Sequence, residues 1–476
     1  MRIISKLFVT IIYLSISWTY AQQQDKYPNK VTIGIQQGYG FTVEYFDTYK
    51  VVQNLITNEK YALVCCNQSL ANFTSAASTS YTAIVNTPLN NVGIDNELDA
   101  LPFFELLGLI DKVKSAKLSA NITSPCFAGI SDSPNATVTT NPIDAIFTTT
   151  SITMGDINTK PQYISFSAKN DTLTPLQQSA WILYIAHFFD LEQHGQDVYN
   201  SIMEKYSCHK SNLAESGKKN IAWTTFDSVN KAWTTHYEPY VQQLIADAGM
   251  QLVSEKNQTS VYTDLTLFHS ALQHVEYIID DTPAANFNKS DLTYAEWLTT
   301  AGLNPNTNAY PFLVGLNLFR TDRFISTSGF SDWPIRHAAR ADLAIADVIH
   351  MVYNTYEPTY NMTWLRAFAQ MEDSKFIKNT NYPTCSMNTT AVAERLNLNS
   401  CHINPFKPNT TISASPKHSN NHSLNHNLSV GAKVGIAIGV IVGVAALAVI
   451  GTFAYRKIKY TAAKNKEGAF YRMSDM

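Results

Sequence analysis

TPLQQSAWILYIAHFFDLEQHGQDVYNSIMEKY, residues 174–206, is the stretch on which the fold turns. Thr174 is a good helix N-cap and Pro175 suits the first helical position, where its missing N–H costs nothing. Trp181, Tyr184, Ile185, Phe188 and Phe189 then recur at helical spacing. No glycine interrupts the run before Gly195. About 30 residues at 1.5 Å each predict one continuous helix roughly 45 Å long.

On both sides of this helix short apolar, β-rich runs alternate with helical patterns, the signature of α/β layering. Before it, strands are expected at Val31–Ile35, Tyr61–Cys65, Ala83–Val85 running on to Val92–Ile94, Ala145–Thr148 and Tyr163–Phe166. After it, strands are expected at Asn220–Thr225, Gln251–Ser254, Val275–Ile279 and Pro311–Leu318. Helices are expected at Pro239–Ala248, Asp264–Gln273 and Trp333–Tyr353. The predicted fold is therefore two α/β lobes, residues 25–170 and 211–403, joined by a long rigid α-helix within 171–210.

The ends of the chain carry a second kind of information. Arg2 and Lys6, the apolar run Leu7–Trp18 and small residues up to Ala21 predict a cleaved signal peptide over residues 1–21. Val434–Ala454 is uncharged and long enough to span a bilayer. Arg456, Lys457, Lys459, Lys464 and Lys466 follow it, which puts the tail, 455–476, on the cytoplasmic side. The expected location is the plasma membrane, single-pass, with the long segment extracellular. Twelve sequons agree with that: Asn67, Asn72, Asn121, Asn135, Asn170, Asn257, Asn288, Asn361, Asn388, Asn409, Asn421 and Asn427. Residues 404–433, rich in Asn, Ser, His and Thr, read as a glycosylated stalk too polar to fold. Cys65, Cys66, Cys126, Cys208, Cys385 and Cys401 all fall on the oxidising side and predict three disulfides. Cys385 with Cys401 is the expected local loop, and Cys65 and Cys66 are expected to take different partners. Gly435, Gly439 and Gly443 form one stripe on the membrane helix, a small-residue face for a homodimer.

Several local motifs narrow the fold. Asn91-Val-Gly-Ile-Asp95 precedes Leu101-Pro-Phe-Phe-Glu-Leu-Leu-Gly-Leu-Ile-Asp-Lys-Val113, and Pro142-Ile-Asp-Ala-Ile-Phe147 follows. Val275-Glu-Tyr-Ile-Ile-Asp280 and Ala339–Ile349 stand in the second half. In this order they resemble the bacterial solute-binding proteins for iron–siderophores, haem or cobalamin, in which one helix joins two lobes. The chain departs from that pattern in lacking a lipobox cysteine and in adding a membrane anchor and stalk. The resemblance implies capture of a metal chelate in an inter-lobe cleft. The competing reading is an adhesion or receptor module whose cleft is closed and holds no small molecule.

In open α/β sheets ligands sit beyond the carboxyl ends of the strands. That rule selects Tyr39, Trp223, Asp227, Trp233, Asp280, Asp281, Arg320 and Trp333 as cleft residues. Arg320, Arg323, Arg336 and Arg340 would supply positive potential for an anionic chelate. His418, His422 and His426 stand at four-residue spacing, but in a stalk without helix formers they read as solvated. No other histidine set has metal-ligand spacing, no cofactor is expected, and no nucleophile elbow, zinc-protease, phosphate-loop or dinucleotide motif suggests an enzyme. A net charge of −3, from 35 basic and 38 acidic residues, offers nothing to nucleic acid.

Overall fold

The computed structural model describes residues 27, 29–65, 80–132, 142–149, 161–287, 292–383, 385 and 400–407. The signal peptide, membrane span, tail, glycine stripe and the stalk beyond Lys407 lie outside the described residues, as does Cys66. So do eight of the twelve sequons; Asn121, Asn170, Asn257 and Asn361 are described. Residues 404–407, expected to begin the stalk, are instead held on the fold, where Phe406 N donates to Asn212 O at 2.8 Å and its ring packs on Tyr353. No helix among the described residues is long and apolar enough to cross a membrane.

The first half holds two four-stranded sheets. β1 (Phe41–Tyr45), β2 (Tyr49–Asn54) and β3 (Glu59–Val64) form an antiparallel meander, and β4 (Ala83–Asn86) joins β3 in parallel. β5 (Val92–Asp95), the short helix α1 (Leu101–Leu106), β6 (Val113–Ala116), β7 (Ala145–Thr148) and β8 (Gln162–Ser165) follow. These strands make a wholly parallel sheet in the order β6-β5-β7-β8. Every β7 residue is buried, as expected of a parallel strand covered on both faces. The strand expected at Val31–Ile35 is not formed. Only Ile33 bridges to Val43, and the chain then turns sharply at Ile35–Gln37, where Gly38 takes a positive φ of 67°.

The predicted connecting helix is three helices: α2 (Pro175–Ser179), α3 (Trp181–Phe188) and α4 (Glu192–Leu213). The second break, between α3 and α4, has a physical cause. Asp190 adopts a left-handed φ of 54°, and its carboxylate meets the fully buried ammonium of Lys50 at 2.7 Å. Lys50 also pairs with Glu192, which accepts a further bond from the Tyr45 hydroxyl. A buried cation needs such partners, and two carboxylates flanking a helix break supply them. Beyond it α4 packs on α3, with Gly195 so close that an added Cβ would lie 2.7 Å from that of Ala186. All eight residues of α3 are buried. An apolar all-round helix of that kind belongs to a core, and α3 is no exposed strut between lobes.

The second half is one larger sheet. β9 (Asn220–Asp227), β10 (Ala232–Thr235), α5 (Pro239–Asp247), β11 (Gln251–Leu252), β12 (Ser260–Tyr262) and α6 (Leu265–Ala271) come first. β13 (Tyr277–Asp280), α7 (Tyr294–Ala301), α8 (Pro311–Val314) and β14 (Leu318–Arg320) complete it. The strand order is β12-β10-β9-β13-β14, with β11 beside β9. The segment expected to be a strand at Pro311–Leu318 is instead helix α8 and the lead into β14. β15 (Phe324–Ile325), α9 (Trp333–Arg336), α10 (Ala341–Val352) and β16 (Lys375–Phe376) follow. The single helix expected over Trp333–Tyr353 is interrupted at 337–340. There Ser179 Oγ donates to Ala338 O at 2.8 Å and accepts from Ala341 N at 3.2 Å, replacing ladder bonds that the break removes.

One apolar cluster runs from the first-half sheets through α3 and α4 to Trp223, Ile279, Phe319 and α10, and a smaller one fills the second half. Two disulfides brace the structure, Cys126–Cys385 and Cys208–Cys401. The expected Cys385–Cys401 loop is thus replaced by two long-range bridges, which tie the C-terminal segment to the first half and to α4. Cys65 is also disulfide-bonded. The expectation that Cys65 and Cys66 take different partners involves Cys66 and so falls outside the described residues.

Candidate functional site

The carboxyl ends of β9, β13 and β14 do converge, and their polar groups satisfy one another. Asp280 is fully buried and pairs with the guanidinium of Arg320, itself 1% exposed. Thr224 and Thr282 hydroxyls donate to the other Asp280 oxygen at 3.1 and 3.0 Å. Arg320 Nε donates to Asp322 at 3.0 Å, and Arg366 pairs with the same carboxylate. Burial pushes the Asp280 carboxyl up, while Arg320 pulls it back down. Asp281 accepts from Thr321 and from Trp333 Nε1 at 3.2 Å, and burial raises its pKa to about 6. Trp333 in turn stacks on His337 at 4.5 Å and lies 5.5 Å from Trp223.

Five of the eight expected cleft residues, Trp223, Asp280, Asp281, Arg320 and Trp333, are therefore neighbours in one buried network. The other three stand apart from it. Tyr39 packs edge-on to Tyr199, Asp227 caps the β9–β10 turn through Val229 and Asn230, and Trp233 stacks on Phe268 within the second-half core. Contacts from the first half cover the same region. Thr123 Oγ1 donates to Asp332 at 2.6 Å, and Tyr382 donates to Glu105 at 2.9 Å. Arg340 forms a two-pronged pair with Asp342 on α10.

The open space lies beside this network. A cavity of about 940 Å³ is bounded by Arg323, Arg336 and Lys375 and by the rings of Tyr356, Tyr360 and Tyr382. Arg336 pairs with Asp332 at 2.6 Å and lies 4.8 Å over the Tyr382 ring; Arg323 reaches Glu372 at 3.3 Å. Even so, Nε of both Arg323 and Arg336 is buried without a hydrogen-bond partner. Such donors are costly to leave unmet. Glu357 is the acidic member of the wall, and burial pushes its carboxyl up. Arg323 and Arg336 were legible in the sequence as cations for an anionic ligand. The tyrosines were not, because 353–383 contains only one 3-10 turn and the two-residue β16 and gives no periodic signal. Among the described residues one group has metal-ligating geometry, His209, Glu357 and Cys401.

No family model matches the sequence, and no curated protein does. Solved structures give remote likenesses, among them a periplasmic binding protein from Veillonella parvula at 10% identity, covering 66% of this chain and 98% of that one with a TM-score of 0.42. The periplasmic haem-binding protein of Vibrio cholerae is similar at 12% identity, 56% and 99% coverage and a TM-score of 0.42. The periplasmic haem-binding protein of a Roseiflexus species has 12% identity, 56% and 100% coverage and a TM-score of 0.40. At this distance the cavity has to be read from its own walls.

Proposed function

We propose that this chain is a solute-binding protein whose ligand is an anionic small molecule of metal-chelate type, such as a siderophore, haem or corrinoid. The observation that carries the reading is the cavity of about 940 Å³ walled by the cations Arg323, Arg336 and Lys375 and by three tyrosines. Its size falls within the range of small-molecule sites. Guanidinium forks match carboxylates and catecholates, and tyrosine rings supply apolar faces for a flat or bulky chelate. The site is thus moved from the strand ends, whose charges are spent on one another, to their flank. The apolar run 434–454 and the basic residues after it support placing the protein on the cell surface, cavity outward.

A specific observation favours a second reading, an adhesion or receptor module. The surface where the two halves meet is packed and bridged, and the sequon Asn361 lies in the cavity wall, where a glycan would crowd the mouth. Titration of the full-length chain in detergent with ferric siderophores, haemin and cobalamin separates the two. Tryptophan fluorescence is the readout, since Trp364 lies beside Arg336. Binding at micromolar concentration or tighter is expected for one class of chelate. Arg323→Gln should weaken it about tenfold or more, because hydrogen bonds to charged groups contribute about 1.5–3 kcal/mol. Absence of binding by all three classes would reject the solute-binding reading.

A further inference from the structure

On α4, Cys208 and His209 are adjacent, and the segment 400–407 lies against them. Asn212 pins that segment by donating to His402 O at 2.7 Å and accepting from Asn404 N at 2.6 Å. Its backbone carbonyl accepts from Phe406 N at 2.8 Å. A donor atom from each of His209, Glu357 and Cys401 lies within 4.8 Å of the other two. Tyr356 lies over the group, with its hydroxyl 3.2 Å from His209 Nδ1. Glu357 forms no ion pair closer than 4 Å with any described residue, and its carboxyl feels His402 nearby. The Cys401 sulfur is bonded to Cys208, at 2.05 Å. A disulfide sulfur is not a thiolate, so the group as it stands lacks its strongest ligand.

We infer that Cys208, His209, Glu357 and Cys401 form a thiol-gated site for a divalent transition metal of zinc type, closed while the disulfide is intact and opened by its reduction. A low-molecular-weight thiol would supply the electrons. Two thiols reduce the Cys208–Cys401 bond, delivering two electrons and two protons, and leave as their own disulfide; the protein gains two Cys–SH groups. The metal then displaces both thiol protons to solvent. The resulting set, two thiolates, one imidazole and one carboxylate, is drawn from the ligands zinc takes in four-coordinate sites. The Asn212 bonds hold Cys401 beside α4 once the covalent link is gone. Tyr356, bonded to the imidazole, is the kind of outer partner that orients a ligating histidine. The consequence is an exchange at the C-terminal boundary of the described fold, a covalent tie for a metal tie. Glu357 and Tyr356 also line the cavity, so the two sites adjoin, but the test is of metal binding and not of chelate binding.

Cobalt(II) is the probe, because a thiolate on tetrahedral Co(II) gives an intense sulfur-to-metal charge-transfer band. The full-length chain is titrated oxidised, after phosphine reduction, and as Cys208→Ser, which frees Cys401 without any reductant. Cys126→Ser, which frees Cys385 instead, is the control for a thiol elsewhere. The expected result is no band for the oxidised chain or for C126S, and a saturable one-to-one band for the reduced chain and for C208S. His209→Ala and Glu357→Gln in the C208S background should each weaken cobalt binding at least about tenfold, the lower bound for losing even a supporting partner. A far-ultraviolet dichroism melt confirms that each variant is folded, and the reduced wild-type chain stands in should C208S not fold. A band of equal strength in C126S, binding unchanged by H209A and E357Q, or no band in either the reduced chain or C208S would overturn the inference.

Discussion

Replacing Arg320 by Met tests whether the strand-end charges hold the fold together or receive a ligand. Arg320 is 1% exposed and is shared between Asp280, which is fully buried, and Asp322. The thioether fills much of the volume but leaves Asp280 with only neutral donors, the Thr224 and Thr282 hydroxyls and Thr282 N. Breaking a buried pair from one side costs about 3–5 kcal/mol, since the remaining charge keeps its desolvation penalty. At roughly 2–3 °C per kcal/mol for a unit this large, Tm should fall by about 6–15 °C at neutral pH. The loss has a pH signature. Burial already raises the Asp280 carboxyl and Arg320 opposes that rise, so removing Arg320 lifts the folded-state pKa further above the unfolded value. A group shifted upward in this way is least harmful below its unfolded pKa, about 4, where it is protonated in both states. The variant should therefore recover towards wild type as pH falls and lose most as pH rises through the folded pKa. Asp280→Asn in the same chain should restore part of the Tm. Thermal melts of the three proteins from pH 4 to pH 8, in steps of about one unit across the carboxylate range, give the answer. A drop under about 2 °C, or one that does not change with pH, would refute the buried-pair account. So would a chelate affinity that falls in R320M while the protein stays folded, because the strand ends would then be the ligand site.

Three further outcomes follow from particular contacts. Burial and the adjacent Asp99 hold the Glu97 carboxyl far above the usual carboxylate range, so it keeps its proton at neutral pH in the fold but not in the unfolded chain. Stability should then fall as pH rises above the ordinary carboxylate pKa, and Glu97→Gln should flatten that alkaline decline in denaturant titrations at pH 6 and pH 9, roughly two and five units above that pKa. Gly195→Val would force a side chain where even a Cβ lies 2.7 Å from that of Ala186, and should cost about 1–3 kcal/mol by urea unfolding. On the apolar run 434–454, Gly439→Ile with Gly443→Ile should abolish self-association of the isolated segment in a membrane reporter assay, if the stripe lets two helix backbones approach closely.

What the sequence made legible was whatever a short local pattern encodes. The buried parallel strands read as apolar runs, and the run expected at Ala145–Thr148 coincides with β7. The β1–β2 hairpin was missed for a physical reason. Its turn, Phe46-Asp47-Thr48, has no glycine, and its inward-facing positions include Lys50 and Asn54 alongside Val52. A buried lysine and asparagine spoil the apolar alternation that marks a half-buried strand. The same Lys50 explains the failed prediction of a single long helix. Nothing between Thr174 and Tyr206 signals a break at Asp190, because the charge that stabilises it arrives from β2, 140 residues earlier.

The candidate site was half legible by the same logic. A rule about strand ends found Asp280, Asp281 and Arg320, and it found them together, yet it could not see that Thr224, Thr282, Asp322 and Arg366 would use up their bonding capacity. Whether a charged cluster is a site or a brace depends on how many partners remain unmet, and that is decided by residues far apart in the chain. At the strand ends Arg320 places Nε and both terminal nitrogens on named acceptors. A short distance along the chain Arg323 and Arg336 each keep a buried Nε with no acceptor. Three guanidinium groups that look alike in sequence thus divide into one spent wholly on the strand ends and two whose side chains wall the cavity.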